Sequence, residues 1–482
     1  MKVSRKTAGW IALGCFALAL RLGVVVALWG DHAGPLAYEH GRIAENLLAG
    51  RGFTISYLGG EGPTSQQAPF YPFFLAALYA VFGVGSSDSL LVAQLLQCLA
   101  GTALVLAVVW LGKSLVPERP AIAWTAGLAA AVFPSHLYMV THLQVVTWAA
   151  LALTLLLGVV ASPRWRGTWQ GAVLAGVLSG ALLLIEPILA LALPICALAF
   201  WLGGSGKDEG SLWGRRPLGR VVLMAVVATA IIAPWTARNC LVHGEFVFIK
   251  SSFGYALWQG NNSASWGTDK IPKPSAEPMR VAHDGTLAGM NRALWEARHE
   301  TLYIDDVLLT EADYARLAPL SEPERSRVLG SRAWEFIRRD PAAYRQLCLK
   351  RLRYFLLFDE TNPKASNRLY RLATVAWLVI AGVGLLVSRS QWRRLWPTYA
   401  IFAAVTLFHT LVIVSARFRI PLEPMTFLWA AWAVAPMAER LFIPISHPAA
   451  DPLPGIASDS GHALRGPHFS GRKSSASRRA GK

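Results

Sequence analysis

Charged side chains are scarce in this chain of 482 residues: Asp, Glu, Lys and Arg together make up 16% of it, where a soluble domain carries about 25%. Cysteine is rarer still. Its five copies, Cys15, Cys98, Cys196, Cys240 and Cys348, lie mostly in apolar runs without metal-ligand spacing, which excludes a disulfide framework. The chain has no Walker loop, no HExxH, no GxSxG and no paired CxxC. The glycines at 59, 60 and 62 precede no helix that would cradle a phosphate, so soluble nucleotide binding has no support. What is abundant is apolar surface: 54% hydrophobic residues, 19 Trp and a mean hydropathy of +0.39. That exceeds what a soluble core holds and indicates a polytopic membrane protein. The net charge of +17 then reads as Lys and Arg in cytoplasmic loops facing anionic lipid, with no nucleic-acid partner.

A membrane span needs roughly 20 mostly apolar residues. Ten stretches qualify: 7–29, 89–113, 120–140, 143–161, 169–186, 187–203, 219–236, 371–388, 396–415 and 421–442. The first follows the basic start Lys2, Arg5, Lys6 and reads as an anchor rather than a removed signal. Residues 69–84, PFYPFFLAALYAVFGV, are apolar but short, and charge decides their role. If they crossed, Lys113, Arg119, Arg164, Arg166 and the cluster at Lys207, Arg215, Arg216 and Arg220 would face outward. If they only dip into the outer interface, all of these fall inside, with Arg389, Arg393, Arg394 and the basic tail. The positive-inside rule selects the second arrangement, with both termini cytoplasmic. The expected fold is an all-α polytopic membrane bundle of about ten spans. It divides into an N-terminal membrane module 1–236 with a first outer loop 30–68 and an embedded helix 69–84, a partly helical outer-face insert 237–370, C-terminal spans 371–442 and a disordered basic tail 443–482.

Within the insert, Ser321 and Glu324 match a capping box, and Asp340-Pro341 reads as an N-cap and first helical position. The helix that follows mixes Arg345, Lys350, Arg351 and Arg353 with apolar residues, a pattern suited either to a membrane surface or to a linker.

Ionisable groups near spans are functional candidates by default. Under this topology Glu39, Arg42, Glu45, His142, Glu186, Arg238, Arg417, Arg419 and Glu423 all lie at or near the outer surface, while Arg21 lies deep. In AYEHGRIAENLLAGRGF, the spacing of Ile43, Leu47 and Leu48 predicts a short helix ended by Gly50 and Gly52. Glu39, Arg42 and Glu45 share one side of it; the carboxylate is able to accept a proton from an attacking hydroxyl, or simply pairs with Arg42. Arg417 and Arg419, in SARFRIPLEP, suit a bidentate phosphate clamp, or else snorkel to lipid headgroups. Glu186-Pro187 marks a turn within a long apolar run, and His142 caps a span.

These stretches in this order resemble the bacterial branch of the GT-C glycosyltransferases, polytopic enzymes related to protein O-mannosyltransferases and lipid A aminoarabinose transferase. The resemblance is carried by YEHGRIAENLLAGRGF from Tyr38, PFYPFFLAALYAVFG from Pro69, APWTARNCLVHGEFVFIKSSFGYALWQGNN from Ala233, WEFIRRDPAAYRQLCLKRLRYF from Trp334 and ARFRIPLEP from Ala416. It implies transfer of a sugar from a polyprenyl-phosphate donor to an outer-face acceptor with inversion. It also implies Glu39 as the general base, where relatives often carry Asp. Gln144 stands where relatives often show Glu, so the resemblance implies that a second acidic role is either absent or passes to Glu186 or Glu45. Arg417, Arg419 and Arg238 are the donor-phosphate candidates, with Asn261 and Asn262 for sugar hydroxyls and Tyr71 on the embedded helix. No residue pattern demands a metal or other cofactor, while the resemblance, to a family with metal-dependent and metal-independent members, leaves a divalent metal open. A lipid-linked glycan ligase or polymerase, and a non-catalytic transporter or scaffold, are the alternatives. The ligase usually lacks a first-loop acid before an embedded helix; transporters tend to show internal repeats, and none is seen here. The expected location is the inner (plasma) membrane, multi-pass, with the site on the outer face.

Overall fold

The computed structural model describes residues 5–29, 38–203, 215–271, 285–286, 289, 292–293, 302–362, 365 and 367–442. The basic tail 443–482, the side chains of the basic start and of Arg215 and Arg216, Lys207 and much of 272–301 lie outside the described residues. Contacts divide the chain into Met1–Glu439 and Arg440–Lys482, and the account below concerns the first unit.

Each of the ten apolar stretches is helical. They are α1 (Arg5–Ala27), α4 (Ser87–Leu115), α5 (Pro120–Val132) with α6 (Pro134–Met139), α7 (Val146–Ala161), α8 (Trp169–Ile185), α9 (Ala192–Gly203), α10 (Arg215–His243), and the last three, Arg368–Val387, Trp392–Leu411 and Glu423–Phe442. Four segments are long and apolar enough to cross a membrane, by length and composition alone: Thr7–Ala27, Ser87–Leu115, Pro217–His243 and Arg368–Leu411, the last containing two helices. The others are shorter. Helix α3 (Phe70–Phe82), within the expected embedded stretch, has 13 residues; at 1.5 Å per residue it reaches about 20 Å, short of a hydrocarbon core of about 30 Å.

Two irregular stretches inside the bundle are satisfied by buried polar side chains. Pro134 has no N–H to give Ala130, and the helix breaks there. Arg21, fully buried, donates to the carbonyls of Ala130 (3.3 Å), Ala131 (3.5 Å) and Ala17 (2.9 Å). Between α6 and α7, Gln97 donates to the carbonyls of Val140 and His142, both at 2.8 Å, and Gln94 to that of Thr141 at 2.9 Å. Non-helical backbone away from water requires such partners. At one end of the bundle Lys113 sits over the rings of Trp10 and Trp124, Arg119 over Trp432, and Arg394 pairs with Glu118 at 2.6 Å.

At the other end, the first loop and the insert share one apolar core, including Ile43, Phe53, Tyr57, Trp235, Ile249, Trp258, Leu329 and Ile413. The insert contributes α11 (Phe253–Gly260), a two-stranded antiparallel pair β1 (Lys270–Ile271) and β2 (Leu302–Tyr303), two short helices α12 (Ile304–Leu308) and α13 (Glu311–Leu317), then α14 (Glu322–Arg339) and α15 (Pro341–Leu356). The Ser321–Glu324 capping box forms, and Asp340 caps α15 through the Ala343 amide at 2.9 Å.

Three buried or half-buried ionic side chains staple the first loop. Glu322 accepts from Thr64, from the Ser65 amide and from Ser251. Arg325 donates to the carbonyls of Tyr57, Leu317 and Ala318, and its guanidinium lies so close over Gly60 that any side chain there would clash. Arg238 donates to the carbonyls of Thr64 (2.7 Å) and Phe53 (3.1 Å) and packs over Phe53 and Trp235.

Candidate active site

Glu39 lies in the first turn of α2 (Tyr38–Leu48), where a negative charge suits the helix dipole. The helix forms because Ile43 and Ala44 bury one face while Glu39, Arg42 and Glu45 stay exposed. It ends where Gly50 and Gly52 take φ of 73° and 76°, a conformation costly for other residues. The pairing of Glu39 with Arg42 does not form, and neither carries a hydrogen bond to a described residue.

The centre of the constellation is a residue the sequence did not single out, Lys250. The extended segment after α10 is stitched back onto that helix: Trp235 and Asn239 both donate to the Ile249 carbonyl, and Thr236 to that of Phe248. This fixes Lys250 with one long hydrogen bond, 3.4 Å to Gln67. Burial holds its ammonium below the usual lysine range; Glu186 and Glu39 oppose that shift and Arg417 adds to it. Three expected residues from distant parts of the chain therefore lie within electrostatic reach of one amine. Glu186 is half-buried at the end of α8, turned by Pro187, and bonds no described side chain. Arg417 is exposed, with its guanidinium 5.6 Å from the centroid of the Phe418 ring. His40, beside Glu39, is pushed down to about 3 by burial and then by Lys250 and Arg417, so it is a neutral imidazole. Its ring meets Tyr71 edge-on at 5.2 Å. Arg417 also reaches Asp269: burial pushes that carboxyl up, but Lys270 at 3.1 Å and Arg417 outweigh it and hold it low.

Other expected residues have internal duties. Arg419 has internal partners through Nε and Nη1. Its guanidinium takes the carbonyls of Phe355 (3.2 Å), Leu356 (2.6 Å) and Leu357 (3.1 Å), the orphan acceptors at the end of α15, and pairs with buried Glu423 at 3.3 Å. Glu423 in turn holds Ser135 and His136. Arg238 also has internal partners, in the first loop as described above. Asn261 and Asn262 are buried and their amides donate to carbonyls of Leu257 and Val412, and of Trp258 and Gln259. Tyr71 is fully buried and donates to Gln97 at 2.7 Å. His142 is buried with Nδ1 near Thr141 and the Tyr138 carbonyl, and Gln144 is buried close by. Glu45 remains exposed on α2. Among the described residues no group of three or more His, Cys, Asp or Glu is placed to hold a metal ion.

No protein-family model and no curated protein matches the chain. Solved structures do. The apo oligosaccharyltransferase of Archaeoglobus fulgidus superposes with a TM-score of 0.52 at 16% identity, over 90% of this chain and 51% of its own. The chain has a GT-C fold. The same archaeal enzyme, AglB, in complex with an inhibitory peptide and a dolichol-phosphate, matches the GT-C fold of this chain with a TM-score of 0.52 at 15% identity, over 90% and 50%. ArnT from Cupriavidus metallidurans, bound to undecaprenyl phosphate, matches at 0.39 with 18% identity, over 89% and 79%. This chain spans about half the length of the archaeal enzyme.

Proposed function

We propose that the chain is a membrane glycosyltransferase that moves a sugar from a polyprenyl-phosphate donor to an outer-face acceptor, with inversion. The observation that carries this reading is that the charges of Glu39, Glu186 and Arg417, from distant parts of the chain, all act on the Lys250 ammonium, in a chain with a GT-C fold. A carboxylate and two cations with few internal partners suit a reaction that removes a proton at one atom and releases a phosphate at another.

In the proposed step Glu39 takes the proton of an acceptor hydroxyl as its oxygen attacks the anomeric carbon. The bond from that carbon to the phosphate oxygen breaks on the opposite face, and its electron pair leaves with the polyprenyl phosphate. Lys250 and Arg417 meet the charge developing there, the kind of preorganised stabilisation that usually contributes most. Glu186 helps keep Lys250 charged. His40, being neutral, is free to donate or accept one hydrogen bond without adding charge. Apolar grooves between helices would take the isoprenoid, and the archaeal relative solved with dolichol-phosphate supports a lipid-phosphate ligand here. In this reading 237–370 lies outside, both termini are cytoplasmic, and the protein resides in the plasma membrane. The test is incubation of purified protein with polyprenyl-phosphate-linked hexoses and pentoses and an envelope extract as acceptor. Release of polyprenyl phosphate with sugar transferred supports the reading; no consumption of any donor refutes it.

A further inference from the structure

Three segments converge beside the Arg417 loop. Val414 donates to the Gly267 carbonyl at 3.1 Å, tying the 267–270 turn to the irregular segment that leads into Arg417. Arg419, from the same loop, holds the carbonyls of 355–357, just before Asp359. The hydroxyls of Thr268 and Thr361 close the junction at 2.9 Å, and Thr268 also accepts from the Lys270 amide at 3.1 Å.

Asp359 lies in this junction, 2% exposed. Its Oδ1 accepts from the Thr361 amide at 2.9 Å and the Thr361 hydroxyl at 2.6 Å. Its Oδ2 is buried and has no hydrogen-bond partner among the described residues. Other buried carboxylates of this half of the molecule are not left that way. Glu322, Glu423 and Asp305 each have both oxygens engaged. A buried acceptor left without a donor is costly, so the structural role of Asp359, met through Oδ1, leaves Oδ2 unexplained.

We infer that Asp359 Oδ2 binds a hydroxyl of the sugar carried by the donor, in a subsite walled by Lys270, Thr268 and Thr361 beside the Arg417 loop. This rests on the glycosyltransferase reading. A hydroxyl fits better than a cation: no metal cluster is placed here among the described residues, and Lys270 already supplies positive charge, paired with Asp269. Burial holds the Asp359 carboxyl above the usual range, with Lys270 pulling it back and Asp269 adding to it; in either protonation state it hydrogen-bonds a hydroxyl.

The test compares binding of undecaprenyl phosphate with binding of undecaprenyl-phosphate-linked sugars, in detergent, for the full chain and Asp359→Asn. The variant is expected to bind undecaprenyl phosphate within about twofold of wild type and its preferred sugar-bearing donor about tenfold more weakly, the worth of one hydrogen bond to a charged group. Equal weakening of both ligands, or of neither, overturns the subsite. If wild-type protein binds neither ligand, the glycosyltransferase reading falls and this inference with it. Should Asp359→Asn fail to fold, Thr361→Val, which removes one bond to Oδ1 and little volume, is expected to show the same selective loss, reduced to about two- to fivefold. Without selective loss there, the subsite is refuted.

Discussion

Lys250 offers the most discriminating perturbation, because catalysis and stability are expected to respond in opposite senses. Lys250→Met keeps the length of the side chain and removes the charge. In the native structure that ammonium has one 3.4 Å hydrogen bond, to Gln67, and sits among Glu186, Glu39 and Arg417. Its pKa is lowered first by burial. A lysine whose folded pKa lies below its unfolded value costs the fold stability at pH below the unfolded value near 10.4, and that cost disappears as pH rises past it. Met removes the cost at every pH, so the melting temperature at pH 7 should stay level or rise. Transfer should fall by about 10²–10³, the usual loss on deleting one preorganised donor to a developing anion. In energy that is about 2.7–4 kcal/mol. Initial rates at saturating and limiting donor, with melting in the same detergent, measure both. If Lys250→Met is as active as wild type, the amine does not meet the leaving phosphate. If it loses activity only in proportion to lost folded protein, Lys250 is a structural lysine.

The two arginines of SARFRIP should separate. Arg417→Ala, at an exposed side chain without a hydrogen bond to a described residue, should weaken donor binding at nearly unchanged melting, with partial rescue by Lys. Arg419→Ala leaves Glu423 short of a partner and three carbonyls unmet, so it should destabilise by about 3–5 kcal/mol, read as a lower melting temperature. Glu322→Gln weakens the staple between the first loop, Ser251 and α14, and should cost about 1–3 kcal/mol and slow transfer through misplacement of α2. Because His40 is held down at about 3, His40→Gln should keep the wild-type pH dependence between pH 5 and 8; loss of a titration there would show that this imidazole is charged in the working enzyme.

Much of the helical framework was legible because each apolar run of about 20 residues has one local solution. The stops were legible too where chemistry is local: Gly50 and Gly52 after α2, the Ser321–Glu324 box, Asp340 before Pro341, and Glu186-Pro187. The break at Pro134 was hidden inside an apolar stretch. The site was less legible because its geometry is long-range. Arg238 and Arg419 were expected at a phosphate on charge and position alone, and nothing local reveals that Thr64, 174 residues away, or the end of α15 takes their donors. Lys250 stands alone in FVFIKSS with no pattern around it; the stitching of 248–249 onto α10 holds it where the charge of Glu39 acts on it. Asp359 carries no sequence signal at all, since its interest lies in an oxygen that the fold leaves unpaired.

The central claim is that Glu39 removes a proton during sugar transfer from a lipid phosphate. Glu39→Gln keeps the size of the side chain and its place in the first turn of α2, and loses only proton acceptance. With a consumed polyprenyl-phosphate sugar as donor, the single measurement is the rate of polyprenyl phosphate release by this variant relative to wild type, in matched preparations of equal melting temperature. The account predicts a fall of about 10²–10⁴ with donor affinity little changed. Release at the wild-type rate would contradict it.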